Sequence, residues 1–237
     1  MVTPPPGPQT CRVLAASVAA AAARDGAAAG DHPLRAHARA VLDAGVSAAA
    51  LGGEGSVGDG VRAVGLELVG ELAAQTLAGG DGLPGPLGEG DVREAAALVA
   101  YHVASPASAE SVRARCRRIA LRLSGLRPGP GTPATEDGGN LAAAAMVPAL
   151  MTALRQAGGG GGEGVADTLG AVCRCDGGAL RVAVGELVEM VVGAGTGGGA
   201  GVGELGLRCL GGMVGGPAAT ESGGLRGPGR GGTGGVI

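Results

Sequence analysis

Clusters of glycine and proline interrupt this chain repeatedly, and they constrain its possible folds more than any other feature. Glycine costs up to about 1 kcal/mol at an interior helix position and proline about 3 kcal/mol, so helices end at such clusters. Four of the clusters lie at 79–90, 127–139, 158–162 and 193–199. Regular structure must therefore fit between them, in segments that are each short enough for one helix or a pair of helices.

Between the clusters, apolar residues recur at the spacing of an α-helix. Val112, Cys116, Ile119 and Leu123 follow one another at steps of four and three residues, which places them on one stripe of a helix. Alternation of apolar and polar residues over strand lengths is scarce. The sequence therefore predicts an all-α fold. The predicted helices cover 10–29, 33–50, 57–78, 91–104, 111–126, 141–156, 163–173, 180–192 and 201–214.

The core of such a fold must be built from small side chains. The chain has 237 residues with 52 Gly, one Tyr and neither Phe nor Trp, and all 18 of its basic residues are Arg. Because each buried CH₂ contributes only about 0.8 kcal/mol, we expect closely packed helices with many contacts that each bury a small apolar area. The net charge of −3 gives no overall attraction to nucleic acid or membranes. No apolar run reaches the roughly eighteen residues of a membrane span.

Two distant segments match each other along their length. Residues 58–72 read GDGVRAVGLELVGEL and residues 199–213 read GAGVGELGLRCLGGM, with Gly, Val, Gly and Leu at the same relative positions. Val61, Val92, Val165 and Val202 each open a segment near an acidic residue, at separations of 31, 73 and 37 residues. A period in the thirties to low forties is typical of helical repeats, and we interpret the match as a repeat.

The second half of the chain resembles armadillo repeats. Residues 144–158, AAMVPALMTALRQAG, resemble the last helix of such a repeat, which carries a small residue, an aliphatic residue, Pro and then Leu-rich positions. Residues 163–196 resemble the next unit, with a first packing stripe and a last packing stripe. The first stripe is Val165, Leu169 and Val172, and the last is Val184, Leu187, Val188 and Val191.

This resemblance covers about residues 140–214, and a looser HEAT-like unit fits 33–126. It implies an α-solenoid of armadillo/HEAT-like helical repeats. The chain departs from the family pattern by placing Gly170, Gly185 and Gly206 at helix-interior positions, where they weaken the helices.

The predicted repeat domain spans residues 9–214, between a short N-terminus at 1–8 and a Gly/Arg-rich tail at 215–237 that lacks periodicity and is predicted to be disordered. Residues 1–24 leave two interpretations open, an organelle-targeting peptide or a Pro-rich tail followed by an Ala-rich helix. The odd number of five irregularly spaced cysteines predicts reduced thiols in an intracellular compartment, cytoplasmic or nuclear.

One glycine motif supports an alternative prediction, that the chain is an enzyme. Gly193, Gly195 and Gly198 match G-x-G-x-x-G, which binds dinucleotides when it follows a strand and opens a helix. That alternative, a nucleotide-binding enzyme, requires a strand at 188–192. Only 39 residues follow Gly198, too few for the remaining strands of such a domain, so we predict a helix there. A third alternative is an unselected GC-rich reading frame, which would lack cooperative unfolding.

No other pattern for catalysis, cofactor binding or metal binding survives inspection. A chain without Lys cannot supply the G-K-[ST] of a phosphate-binding loop. Cys173 and Cys175 form one irregular half of a zinc site, and no second half-site accompanies them. We therefore predict that these two thiols are buried or half-buried at a helix end, and we predict no cofactor, no metal and no catalytic residue.

A cluster of arginines on the 111–126 helix is the candidate binding site. Guanidinium groups bind carboxylates or phosphates with forked hydrogen bonds. The candidate residues are Arg113, Arg117, Arg118 and Arg122, with Arg115 beside them. Helical geometry predicts that Arg117 and Arg118 are exposed; the alternative is a merely solvated helix face. No aromatics interleave the arginines, which excludes base stacking. We therefore predict a non-catalytic scaffold that binds proteins or acidic peptide segments and makes no sequence-specific contact with nucleic acid.

Overall fold

The computed structural model describes residues 33–51, 56–78, 87–128, 132–157, 162–194 and 200–214. Over these ranges the chain forms eight α-helices and no β-strand, which confirms the all-α prediction. The helices are α1 Pro33–Leu51, α2 Ser56–Ala78, α3 Glu89–Ala104, α4 Glu110–Ser124, α5 Leu141–Gln156, α6 Glu163–Cys175, α7 Gly177–Ala194 and α8 Ala200–Val214. The predicted helix at 10–29, the N-terminus at 1–8 and the tail at 215–237 lie outside the described residues.

The helix ends follow from local side-chain chemistry. Helix α5 begins where predicted because the side chain of Asn140 accepts a hydrogen bond from the backbone N–H of Ala143 at 3.0 Å. The predicted break after α6 shrinks to Asp176 alone, whose Oδ1 accepts from the N–H of Ala179 at 2.8 Å and so caps α7. None of the described helices is both long enough and apolar enough to cross a membrane.

The helices pack around one continuous hydrophobic core of Leu, Val, Ala and Met side chains. The predicted stripe of α4 lies in this core, with Ile119 only 7% exposed and the other three residues at 0–1%. The predicted first stripe of the armadillo-like unit is also buried, as are Leu150 and Leu154 on α5. These helices therefore face the core with the sides that the sequence predicted.

Helix α7 faces the core with a different side from the one predicted. The last-stripe prediction is confirmed for Leu187, which is fully buried, and wrong for Val184 and Val188, which are 39% and 47% exposed. The residues buried with Leu187 are Ala179 and Ala183, and the three follow one another at steps of four. The inward side of α7 is thus mostly alanine, which lets neighbouring helices approach closely.

Contacts between the described helices follow their order in the chain. Consecutive helices pack against each other, α1 on α2 and α7 on α8 for example, and α3 also packs extensively against α5, as α6 does against α8. No described helix contacts one more than three positions away in the order. Helices α1 and α2 therefore make no contact with α5 to α8, and the packing progresses along the chain.

The two matched glycine segments lie on α2 and α8, and they are equivalent at one position and different at another. Gly65 and Gly206 align, and each lies at the contact with the preceding helix: a Cβ on Gly65 would come 2.5 Å from the carbonyl oxygen of Gly45. A Cβ on Gly206 would come 2.9 Å from the side chain of Val191. The next aligned pair differs, because Leu66 is fully buried and Leu207 is 58% exposed. Of these two aligned positions, the glycine therefore packs alike in the two helices and the leucine does not.

Candidate functional site

The five arginines of α4 divide into two flanks with Arg118 between them. Because α-helical residues advance by about 100° each, Arg113 and Arg117 lie along one side of the helix and Arg115 and Arg122 along the other. The buried apolar stripe occupies the face opposite Arg118. The predicted cluster is therefore spread over the whole outer half of the helix.

On the first flank, two guanidinium groups share the carboxylate of Glu110. Arg113 donates to Glu110 at 2.8 Å and Arg117 at 3.0 Å. The hydrogen bond from Arg113, and then the charge of Arg117, lower the pKa of Glu110. Arg113 also donates to the carbonyl oxygen of Ser108 at 2.7 Å, which ties α4 to the loop before it.

Arg117 is less exposed than predicted. Its guanidinium group lies directly against Gly164 near the start of α6, in space that any larger residue there would fill. Its Nε is buried and has no hydrogen-bond partner among the described residues. The prediction that Arg117 is exposed is therefore wrong: its side chain keeps only 30% of its surface in solvent, because α6 covers that side of α4.

On the second flank, the arginines pair with carboxylates of α2. Arg122 makes a two-pronged ion pair with Glu71, and its pKa is raised by that hydrogen bond. Arg115 lies 3.6 Å from Glu67. Glu71 is only 9% exposed, so this pair joins α2 to α4 at the edge of the core. Sequence reasoning missed both glutamates, although they lie four residues apart among the apolar residues 63–74 of α2 and so share one side of the helix.

Arg118 is exposed, as predicted, and makes no ion pair with any residue that the structure describes. It lies one turn before Arg122, whose side chain keeps 50% of its surface in solvent. Leu121, between them in sequence, is 40% exposed. We call Arg118, Leu121 and Arg122 the α4 surface; it presents cations beside an aliphatic side chain.

A second polar cluster, which sequence reasoning missed, joins four helix ends. The side-chain amide of Asn140 donates to the carbonyl oxygens of Leu123, in the last turn of α4, at 2.7 Å and of Leu126, beyond its end, at 2.6 Å. The backbone N–H of Asn140 donates to Asp176 at 2.8 Å, between α6 and α7. A pocket of about 460 Å³ opens beside these residues. Both side chains are buried and already hydrogen-bonded, so their arrangement is structural.

The four cysteines that the structure describes differ in burial and reactivity. Burial raises the pKa of Cys116, Cys173 and Cys209 to about 12. The burial prediction is confirmed for Cys173 and wrong for Cys175, which is exposed at the end of α6. No group of three or more potential metal ligands is found within the part of the chain that the structure describes.

The segment before the glycine motif is helical. Val188–Val192 lies within α7, so the predicted helix is confirmed, and the motif is not preceded by the strand that its dinucleotide-binding context requires. Gly195 and Gly198 lie outside the described residues. Gly193, the first residue of the motif, is the last but one residue of α7.

Comparison with known proteins gives no relative for this chain: no family model, no curated protein and no solved structure matches it.

Proposed function

We propose that this chain is a non-catalytic scaffold, an α-solenoid of armadillo/HEAT type that binds acidic segments of partner proteins through the α4 surface. The packing order supports the solenoid type. Repeat proteins are nearly one-dimensional, so each unit contacts only its neighbours. The described helices behave in this way, since contacts extend over at most three positions in the helix order.

The exposure of Arg118 is the observation that carries the binding proposal. The other four arginines of α4 each lie within 4 Å of a glutamate of the same chain, while Arg118 makes no ion pair with any residue in the described ranges. Guanidinium groups bind carboxylates with forked hydrogen bonds, and a neighbouring cation strengthens that attraction. Leu121 offers an apolar contact beside the two charges. A peptide that carries acidic residues next to an aliphatic one fits this surface.

A fluorescent oligoglutamate peptide tests the proposal by titration with the full chain at low salt. The Arg118→Glu substitution replaces attraction with repulsion, and we expect the Kd to rise about fivefold or more, which corresponds to roughly 1 kcal/mol. The affinity of the parent chain is expected to fall as salt is added, because exposed charges are screened.

Arg93→Glu on α3 is the matched control. It makes the same change in net charge at another exposed arginine, whose one ion pair among the described residues is with Glu89 of its own helix. This control should change the Kd little. If the parent chain does not bind the peptide, or if the control weakens binding as much as Arg118→Glu does, the α4 surface is not the binding site.

A further inference from the structure

Helix α7 presents a row of apolar side chains that the core does not use. Val182, Val188 and Val192 are 55%, 47% and 65% exposed, on the side of the helix away from its buried alanines. Gly185 lies at the centre of this side and is itself exposed; a Cβ there would meet nothing within 4 Å. We call this side, from Gly178 to Val192, the α7 face.

The charges of the α7 face are arranged symmetrically about Gly185. Arg181 lies four residues before Gly185, and Glu189 lies four residues after it. The side chain of Arg181 is 80% exposed, and its recorded carboxylate partner, Asp137, is 3.9 Å away and 77% exposed. Glu189 is exposed as well. One end of the face is therefore positive and the other negative, and Gly185 lies between them.

We propose that the α7 face is a homodimer interface, in which α7 packs antiparallel against α7 of a second copy about a two-fold axis at Gly185. In that arrangement, residues equally far from position 185 lie at the same level of the interface. Arg181 of each copy is then within reach of Glu189 of the other, and Val182 and Val188 of both copies line the contact around Gly185. Helical geometry places all of these within about 60° of the line through Gly185, so one face carries them.

The second copy is favoured over other occupants by this charge pattern. A two-fold interface is self-complementary, so each residue and its partner occur twice, and both charges of the face are neutralised. An acidic peptide would be repelled by Glu189, and a basic one by Arg181. The glycine at the axis allows the two helices to approach closely, which brings the valines into contact. Helix α7 makes no contact with α4, so this interface is independent of the proposed peptide site.

Charge exchange tests the pairing on the full chain by sedimentation equilibrium. Arg181→Glu places glutamates opposite each other in both symmetric contacts, and Glu189→Arg does the same with arginines. Each single variant should raise the dimer Kd at least about tenfold, which is 1.4 kcal/mol. The double variant Arg181→Glu/Glu189→Arg exchanges both signs and should restore the dimer. The two positions lie about 12 Å apart along one helix, so the restored contact must be between copies.

Serine substitutions test the apolar contacts of the dimer in the same experiment. Val188→Ser should raise the dimer Kd, whereas Val184→Ser, at a comparably exposed valine of the same helix that lies about 100° from the line through Gly185, should change it little. Circular dichroism verifies that each variant stays helical, as we expect for exposed positions. A parent chain that stays monomeric over the whole concentration range overturns the proposal. A double variant that is no tighter than the single ones overturns it equally.

Discussion

His102 shows how burial in this small-residue core changes the chemistry of a single side chain. Its imidazole ring is 6% exposed, and Nδ1 lies 3.0 Å from the hydroxyl oxygen of Ser108. Burial, and to a smaller degree the charge of Arg62, lower the pKa of His102 below its ordinary value of 6.5. The folded chain therefore holds this ring neutral at a pH where the unfolded chain protonates it.

This difference predicts a loss of stability on acidification. Between the lowered pKa and the ordinary one, the unfolded state binds more protons, so the free energy of unfolding falls as pH falls through that window. The stabilisation from the neutral His102 ring is complete above about pH 6.5. As pH falls from there to the lowered pKa, the free energy of unfolding decreases by up to about 1.4 kcal/mol per pH unit. Urea unfolding at several pH values, for the parent and for His102→Asn, measures it. The advantage of the parent should shrink toward acid pH; parallel profiles would contradict the prediction.

At the scale of helices, the sequence predicted positions better than packing faces. Helix α5 begins and ends where predicted, because Asn140 caps its start and a glycine run follows its end. The face of α7 was not predictable in the same way. Alanine and valine differ by only two carbon atoms, so periodicity hardly distinguishes a buried alanine row from an exposed valine row. Close packing against other helices, which depends on the whole fold, decides which row turns inward.

Two interior glycines of neighbouring helices should respond oppositely to the same substitution. A Cβ on Gly170 of α6 would come 2.9 Å from the carbonyl oxygen of Cys209 on α8, so Gly170→Ala forces the helices apart and should cost about 1–3 kcal/mol. A Cβ on Gly211 of α8 would meet nothing within 4 Å, so Gly211→Ala should gain up to about 1 kcal/mol of helix propensity. Chemical denaturation compares both with the parent. Equal effects would show that the α6–α8 contact is looser than described.

At the scale of the whole molecule, contacts between distant helices could not be predicted from the sequence. The order of the helices could be predicted, and so could the arginines of α4, because both follow from local patterns. The partners of those arginines could not: Glu71 lies 51 residues before Arg122, and the pair forms only because α2 packs on α4. Which distant helices pack together depends on many small contacts, and local sequence patterns do not indicate those contacts.

Hydrogen exchange after Leu154→Ala tests whether the helices form the proposed linear stack of units. Leu154 is fully buried on α5, and its truncation should cost about 2–5 kcal/mol. In a linear stack, amides of Glu163–Val192, which adjoin α5, should exchange faster. Amides of Pro33–Leu51 should keep the rate of the parent, because α1 makes no contact with α5. Equal acceleration in α1 would instead indicate one cooperative bundle, and unchanged exchange throughout well-protected helices would show that the units do not stack.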